Sequence, residues 1–375
     1  MTQPSHKHVP QQDFPFPNVT TRFKSEEAER VRVDGDPYRV GRQHGAARAR
    51  ALRAFVDDGL CRLNRVMRPA VSMDALRPAI QAHRAVLEAA TPNLAEEVRG
   101  LADGAGLSHD QALLLQLRRE VMGYRRVPTA GDCTTYARPG AEAVLAQTVD
   151  LNGDLDDQIA VLDVRLDGSP RRSLVLSFAG LLGYLGVNSD GLAVGLNLVL
   201  GGRWRPGLPP YLAIRHLLDT AGDVDEAVEI LRGLPLASSR SIMLCDPEQA
   251  AYVEILTDEQ RVVRGTDLAH TNHFLHPDLA PHDELNVFAR TSSTRRLDAC
   301  RSRLAALPDG ATVADQFALL SDPPIRVPDT GDIAVERTVA TVVLLPARGE
   351  LHLRPGDGEA RSRTASFSLR AGVPG

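Results

Sequence analysis

The spacing of apolar residues changes character near Cys133, and that change restricts the folds open to this chain. Before it, apolar positions recur at helical spacing, as with Leu94, Val98, Leu101 and Ala102 behind Pro92. Helices are expected over residues 46–67, 73–90, 92–103 and 111–122, with Ser108 as an N-cap. After it, short runs at residues 159–164, 172–178, 184–187, 192–198, 241–245, 251–255 and 261–265 alternate with Gly and Asp turns, as strands do. Helices at 211–221, 224–232, 291–307 and 312–320 separate these groups, and residues 338–345 and 350–354 close the chain as a hairpin. Strands grouped into hairpins, with helices between groups, describe an α+β protein whose sheets are covered by helices. The expected organisation is a disordered tail over 1–25, a helical segment over 26–132 and a sheet-based core over 133–375.

The junction itself carries chemistry. Gly131-Asp132-Cys133-Thr134-Thr135-Tyr136-Ala137 opens one strand, Pro139-Gly140 turns the chain, and Ala146-Gln147-Thr148-Val149-Asp150 returns it. Such a hairpin brings Cys133 and Asp150 to the same end of a sheet. Taken alone, that spacing favours a small apolar strand cysteine over a thiol nucleophile with an orienting acid.

Composition narrows the function classes. A net charge of −5 gives no basic field for nucleic acid or an acidic membrane surface. Four scattered cysteines, Cys61, Cys133, Cys245 and Cys300, make no CxxC pair and suit a reducing compartment. No apolar run approaches spanning length and residues 1–16 lack a signal-peptide core, so a cytoplasmic, membrane-free protein is expected. The two lysines, Lys7 and Lys24, both lie in the tail. Without a lysine inside the fold there is no Walker P-loop, no pyridoxal Schiff base and no Ser-x-x-Lys acylase.

Other motifs read more plainly. His270, His273, His276 and His282, with Asp278 and Asp283, have spacings compatible with a metal site. Pro277 and Pro281 break a regular helix there, so the stretch reads as a histidine-rich loop, with a metal-dependent amidase as the alternative. Residues 186–191 fit a hairpin turn better than a nucleotide loop, and Asp154, Asp156 and Asp157 fit solvated turn positions. Trp204 suits a substrate lid and ordinary packing equally.

Several segments in order resemble the acyl-coenzyme A:6-aminopenicillanate acyltransferase family of self-processing cysteine hydrolases. They are residues 36–45 (Asp-Pro-Tyr-Arg-Val-Gly-Arg-Gln-His-Gly), residues 94–106, Asp132-Cys133-Thr134-Thr135, Gln147-Thr148-Val149-Asp150, Gly186-x-Asn188-x-x-Gly191-Leu192, Gly195-Leu196-Asn197 and His270-Thr271-Asn272-His273-Phe274. The resemblance implies an N-terminal-nucleophile hydrolase fold, an αββα sandwich of two antiparallel sheets between helical layers. It implies self-cleavage of the Asp132–Cys133 bond, with the two chains staying associated. Cys133 is then the nucleophile and its new α-amine the base, with Asp150 holding the amine or thiol. Asn272, by its side-chain amide, and Asn197, by its backbone N–H, form the oxyanion hole. The more distant bile salt hydrolases and penicillin V acylases carry an arginine in a Thr-Ser-x-x-Arg setting, which falls here on Arg295, with Arg296 adjacent. Two departures stand out: Asp132 replaces a glycine before the cysteine, and Gln147 replaces an arginine of the bile salt group. The expectation is an acyltransferase or amidohydrolase that acts on a small amide or acyl thioester through an acyl-cysteine. It needs no cofactor or metal; the rival from another class is a non-catalytic binding scaffold.

Overall fold

The computed structural model describes residues 28–123, 133–356 and 363–370. The expected tail, 1–25, and Asp132 of the expected cleavage bond lie outside the described residues.

The N-terminal part holds strand β1 (Glu29–Gly35) and helices α1 (Pro37–Asp57), α2 (Leu63–Val66), α3 (Met73–Ala90), α4 (Pro92–Ala105) and α5 (His109–Met122). Polar caps set the starts: Asp36 accepts from the Arg39 N–H with Pro37 behind it, and Ser108 and Gln111 form a reciprocal capping box on α5. Helix α1 therefore begins nine residues before the expected start and ends at Asp57 rather than Met67. Helices α1 and α4 meet backbone to backbone. A Cβ on Gly41 would lie 1.9 Å from the Glu97 carbonyl, and one on Gly100 would lie 2.0 Å from that of Tyr38.

From Thr135 onward two sheets form. Strands β2 (Thr135–Arg138) and β3 (Val144–Leu151) make the expected hairpin, with Thr135 opposite Gln147. Then come β4 (Ile159–Leu166), β5 (Arg172–Phe178), β6 (Leu185–Asn188) and β7 (Ala193–Leu198). Helices α6 (Pro210–Thr220) and α7 (Val224–Gly233) precede β8 (Arg240–Cys245), β9 (Ala250–Leu256), β10 (Glu259–Gly265) and β11 (Leu268–His270). The chain continues through α8 (Val287–Ala305), α9 (Val313–Ser321), β12 (Arg337–Leu345), β13 (Glu350–Pro355) and β14 (Ala365–Ser368).

The larger sheet has the order β1-β4-β5-β6-β7-β8-β9-β10 and the smaller β11-β2-β3-β12-β13-β14. Among the described residues every ladder is antiparallel except β1 with β4, which is parallel. A parallel pair needs a long crossover, and here the N-terminal helices followed by the β2–β3 hairpin lie between the two strands. The sheets stack face to face through β2 and β3 against β7 and β8. Helices α1, α6 and α7 cover the outer face of the larger sheet, and α8 and α9 that of the smaller. This is the αββα sandwich expected, with β1 as a parallel edge strand added to it.

Because both faces of β3 are covered, seven of its eight residues are buried, polar ones included. Each polar group must find a partner. The Gln147 amide donates to the Leu196 carbonyl (2.8 Å) and accepts from the Leu196 N–H (3.0 Å), tying the two sheets together. Gly195 makes room for it, since a Cβ there would lie 2.8 Å from Gln147 Oε1. Residues 186–191 form the expected hairpin turn, held by Asn188, whose amide also donates to the Leu218 and Ala221 carbonyls at the end of α6.

Candidate active site

Topology brings the distant motifs together. Cys133 stands just before β2, and Asp150 near the end of β3. On the other side of β2, β11 pairs through His270 with Thr135, which places Asn272 beside the same strand. Asn197 comes from β7 of the facing sheet.

The Cys133 carbonyl accepts from Asn197 Nδ2 (2.9 Å) and Arg296 Nη1 (2.9 Å). Arg296 also donates to Thr134 Oγ1 (3.0 Å) and to Asn272 Oδ1 (2.6 Å), while Asn272 Nδ2 donates to the Leu198 carbonyl (3.0 Å). Four of the expected residues, Cys133, Asp150, Asn197 and Asn272, are thus buried in one region. Asp150 Oδ1 accepts from Thr338 Oγ1 at 2.6 Å, and Thr148 Oγ1 stands 3.4 Å from Oδ2. The register of β12 shifts between Thr338 and Ala340, and such an irregularity re-aims a side chain toward a site.

Arg295 is a correction. Its side chain is exposed and lines a surface groove with Phe288, Thr291, Pro323 and Pro324. On α8 the sheet-facing positions are Ser293, Arg296, Leu297, Cys300 and Leu304, so the arginine that reaches the Cys133 carbonyl is Arg296.

Cys133 and Asp150 face one cleft whose walls come from both halves of the chain: Phe55, Leu115, Leu155, Phe178, Tyr184 and Tyr211 among them. The Cys133 Sγ lies 3.6 Å from Tyr184 Oη. Tyr184 is stacked on Tyr211 (5.4 Å between centroids) and edge-on to Phe178 (5.1 Å). Arg118 and Arg240 also line the cleft. Arg240 pairs with Glu120 at 3.2 Å and lies under Trp204, whose indole N–H donates to Ser239 Oγ. Trp204 therefore packs onto an arginine that borders the site, and sequence reasoning singled out neither Tyr184 nor the cleft arginines.

The histidine-rich stretch is arranged differently from a metal centre. His270 Nε2 lies 2.8 Å from Glu254 Oε1, and the same carboxylate accepts from the Leu275 and His276 N–H groups. Burial opposes the Glu254 charge, but these bonds outweigh it and hold the carboxyl below its usual range. His273 Nδ1 lies 2.7 Å from Ser293 Oγ, and burial with the nearby His270 and Arg290 charges lowers its pKa to about 4. Among the described residues no group of three His, Cys, Asp or Glu side chains could hold a metal ion. Asp156 and Asp154 pair with Arg337, and Asp157 with Arg62, so these turn residues are ion-paired rather than simply solvated. No described helix is long and apolar enough to cross a membrane.

The family model for acyl-coenzyme A:6-aminopenicillanic acid acyl-transferase matches residues 137–359, more than half of the chain. The 40 kDa form of acyl-coenzyme A:6-aminopenicillanic-acid-acyltransferase from Emericella nidulans is 28% identical over 252 residues, covering 65% of this chain and 69% of that protein. Among solved structures, the penicillin V acylase of Agrobacterium tumefaciens is 16% identical with a TM-score of 0.47, over 63% of this chain and 86% of that one. The Caenorhabditis elegans ortholog of N-acylethanolamine-hydrolyzing acid amidase is 17% identical with a TM-score of 0.44, over 64% of this chain and all of that one.

Proposed function

Because the chain belongs to the acyl-coenzyme A:6-aminopenicillanic acid acyl-transferase family, we propose that it transfers or hydrolyses acyl groups through a thioester on Cys133 after cutting its own Asp132–Cys133 bond. The observation that carries the reading is the placement of a buried cysteine and a buried aspartate on one cleft, with the cysteine's carbonyl fixed by two donors.

Maturation starts when the Cys133 thiol attacks the Asp132 carbonyl; the C–N bond breaks, the acyl group moves to sulfur, and water releases it. The freed α-amine has a pKa near ~7.7–8.0 and a thiol one near ~8.5, so the amine takes the thiol proton at little cost. In turnover Sγ attacks the substrate carbonyl and the C–S bond forms. The amine's proton goes to the leaving group as the substrate's C–N or C–S bond breaks. Water or an amine then attacks the thioester, and the electron pair returns to sulfur. Asp150, fixed by Thr338, orients the new amine. Asn272 and Asn197 supply donors for the oxyanion, and Arg296 holds the Asn272 amide in place through its oxygen.

Intact mass tests this directly. Wild-type protein should resolve into fragments 1–132 and 133–375, and a reactive acyl donor should add one acyl group to the second. Cys133→Ala should remain one chain and take no label. Fully active, uncut wild-type protein would sink the self-cleavage, and a protein that neither cuts nor labels would be the binding scaffold.

A further inference from the structure

Asn197 stands in β7 of the larger sheet, and Asn272 just beyond β11 of the smaller one. Two donors from different sheets serve one oxyanion only if something fixes their separation. Past His270 the chain leaves β11, and side chains rather than a ladder take its backbone groups. The N–H groups of Asn272 and Phe274 donate to Ser293 Oγ (2.8 Å) and Asp283 Oδ2 (2.9 Å). Those of Leu275 and His276 donate to Glu254 Oε1 (2.5 Å) and Oε2 (2.9 Å). Ser293 lies on α8 and Asp283 just before it, whereas Glu254 belongs to β9 of the larger sheet.

Glu254 also grips the near end of this segment. His270 Nε2 lies 2.8 Å from Oε1, and the opposite ring nitrogen faces the Thr271 carbonyl at 2.8 Å. One buried carboxylate therefore holds both ends of residues 270–276, with Asn272 between them. The register sets that carboxylate level with Asn197. Asn197 pairs with Ser241, and Ser241 with Glu254; residues paired across ladders share a face. Two strand spacings, roughly 10 Å of sheet, separate the two. Arg296 and the Leu198 carbonyl orient the Asn272 amide at its tip, while Glu254 fixes the backbone that carries it.

We propose that Glu254 is a positioning residue for acyl transfer: it pins the backbone of the Asn272 loop to the sheet that carries Asn197, so that both donors meet one oxyanion. This rests on the reading of those two asparagines as oxyanion donors. Both carboxylate oxygens act as acceptors of backbone N–H groups. A glutamine has one oxygen, so either orientation sets its amide NH2 against the Leu275 or the His276 N–H. Glu254→Gln thus loosens one end of the loop at nearly constant side-chain volume. A donor displaced by about an ångström loses much of its effect on rate.

A double-mutant cycle tests this, with 4-nitrophenyl butanoate as acyl donor and the burst of nitrophenolate as readout. Glu254→Gln should slow acylation of Cys133 by about 10–100-fold and leave the half-saturating donor concentration nearly unchanged. Asn272→Ala should slow it at least as much. Adding Glu254→Gln to Asn272→Ala should then cost little more, because the carboxylate acts through the asparagine. A fully additive second loss, or a Glu254→Gln protein as fast as wild type while Asn272→Ala is slow, overturns the positioning role alone. An Asn272→Ala protein as fast as wild type, or wild type no faster than Cys133→Ala, overturns the oxyanion reading and the role with it. Hydrogen exchange on wild type needs no variant to fold. The Leu275 and His276 amides should be as protected as those of the β9 ladders, and exchange at the rate of exposed loop amides overturns the link.

Discussion

One step along α8 turns a side chain by roughly 100°, which is why Arg296 reaches the Cys133 carbonyl while Arg295 lies exposed. A sequence spacing fixes such a residue only to within that step. Cys133, Asp150, Asn197 and Asn272 were legible because each sits in a motif whose order along the chain is distinctive. Thr338 and Tyr184 were not, since each reaches the site through a contact distant in sequence and carries no motif of its own. Tyr184 gives this scale its test. Its hydroxyl, 3.6 Å from Sγ and locked between Phe178 and Tyr211, can donate to a thiolate and favour the charged form. Tyr184→Phe should therefore raise the apparent pKa of Cys133 in the pH profile of iodoacetamide alkylation and lower kcat about tenfold. If Tyr184 is only a wall of the cleft, KM alone will change and the alkylation profile will stay where it was.

At the scale of elements, the helices were the most legible parts, and α3 matches its expected bounds of 73–90. The start of α1 was missed because Gly41 and Gly45 read as loop residues, whereas they sit in the helix to let α4 touch its backbone. Its early end was missed because a left-handed turn over non-glycine residues has no sequence signal. The short strands β11 and β14 were missed too; both are edge strands, too brief to show alternation. The α1–α4 contact makes a sharp prediction. Gly100→Ala places a Cβ 2.0 Å from the Tyr38 carbonyl, and neither helix can yield without moving as a unit. The cost should reach about 1–3 kcal/mol or more, read as a lowered denaturant midpoint. Gly233→Ala, at the last residue of α7 with nothing within 4 Å of the added carbon, should be neutral or slightly stabilising. Equal effects from the two would show that the helices are not packed this closely.

At the scale of the whole molecule, grouping of strands and helices pointed to helix-covered sheets, but stacking of two sheets came from the family resemblance and not from periodicity. Strands covered on both faces lose the alternation that marks one buried side, as β3 shows. The same burial gives the fold an acid-sensitive element where α1 meets the rest. His44 is buried with neither ring nitrogen hydrogen-bonded, and burial, with the charges of Arg48 and Arg215, lowers its pKa to about 3. An unfolded histidine titrates near ~6.5, so between those values the unfolded chain binds a proton that the folded one does not. The stability this group contributes is complete above the unfolded value and is lost as pH falls from about 6.5 toward 3. From pH 7 to pH 5 the loss is about 2 kcal/mol. Glu97, bound to Arg215 nearby, acts in the opposite sense, because burial, against the attraction of Arg215, raises its pKa to about 7 and folding then favours its protonated form. Overall acid stability mixes the two, so the comparison must be between proteins that differ at His44 alone. His44→Leu removes one titration and keeps the site filled, and its denaturant midpoint should fall less between pH 7 and pH 5 than that of wild type. Parallel falls in both proteins would mean that His44 finds a proton, or a partner for one, inside the fold.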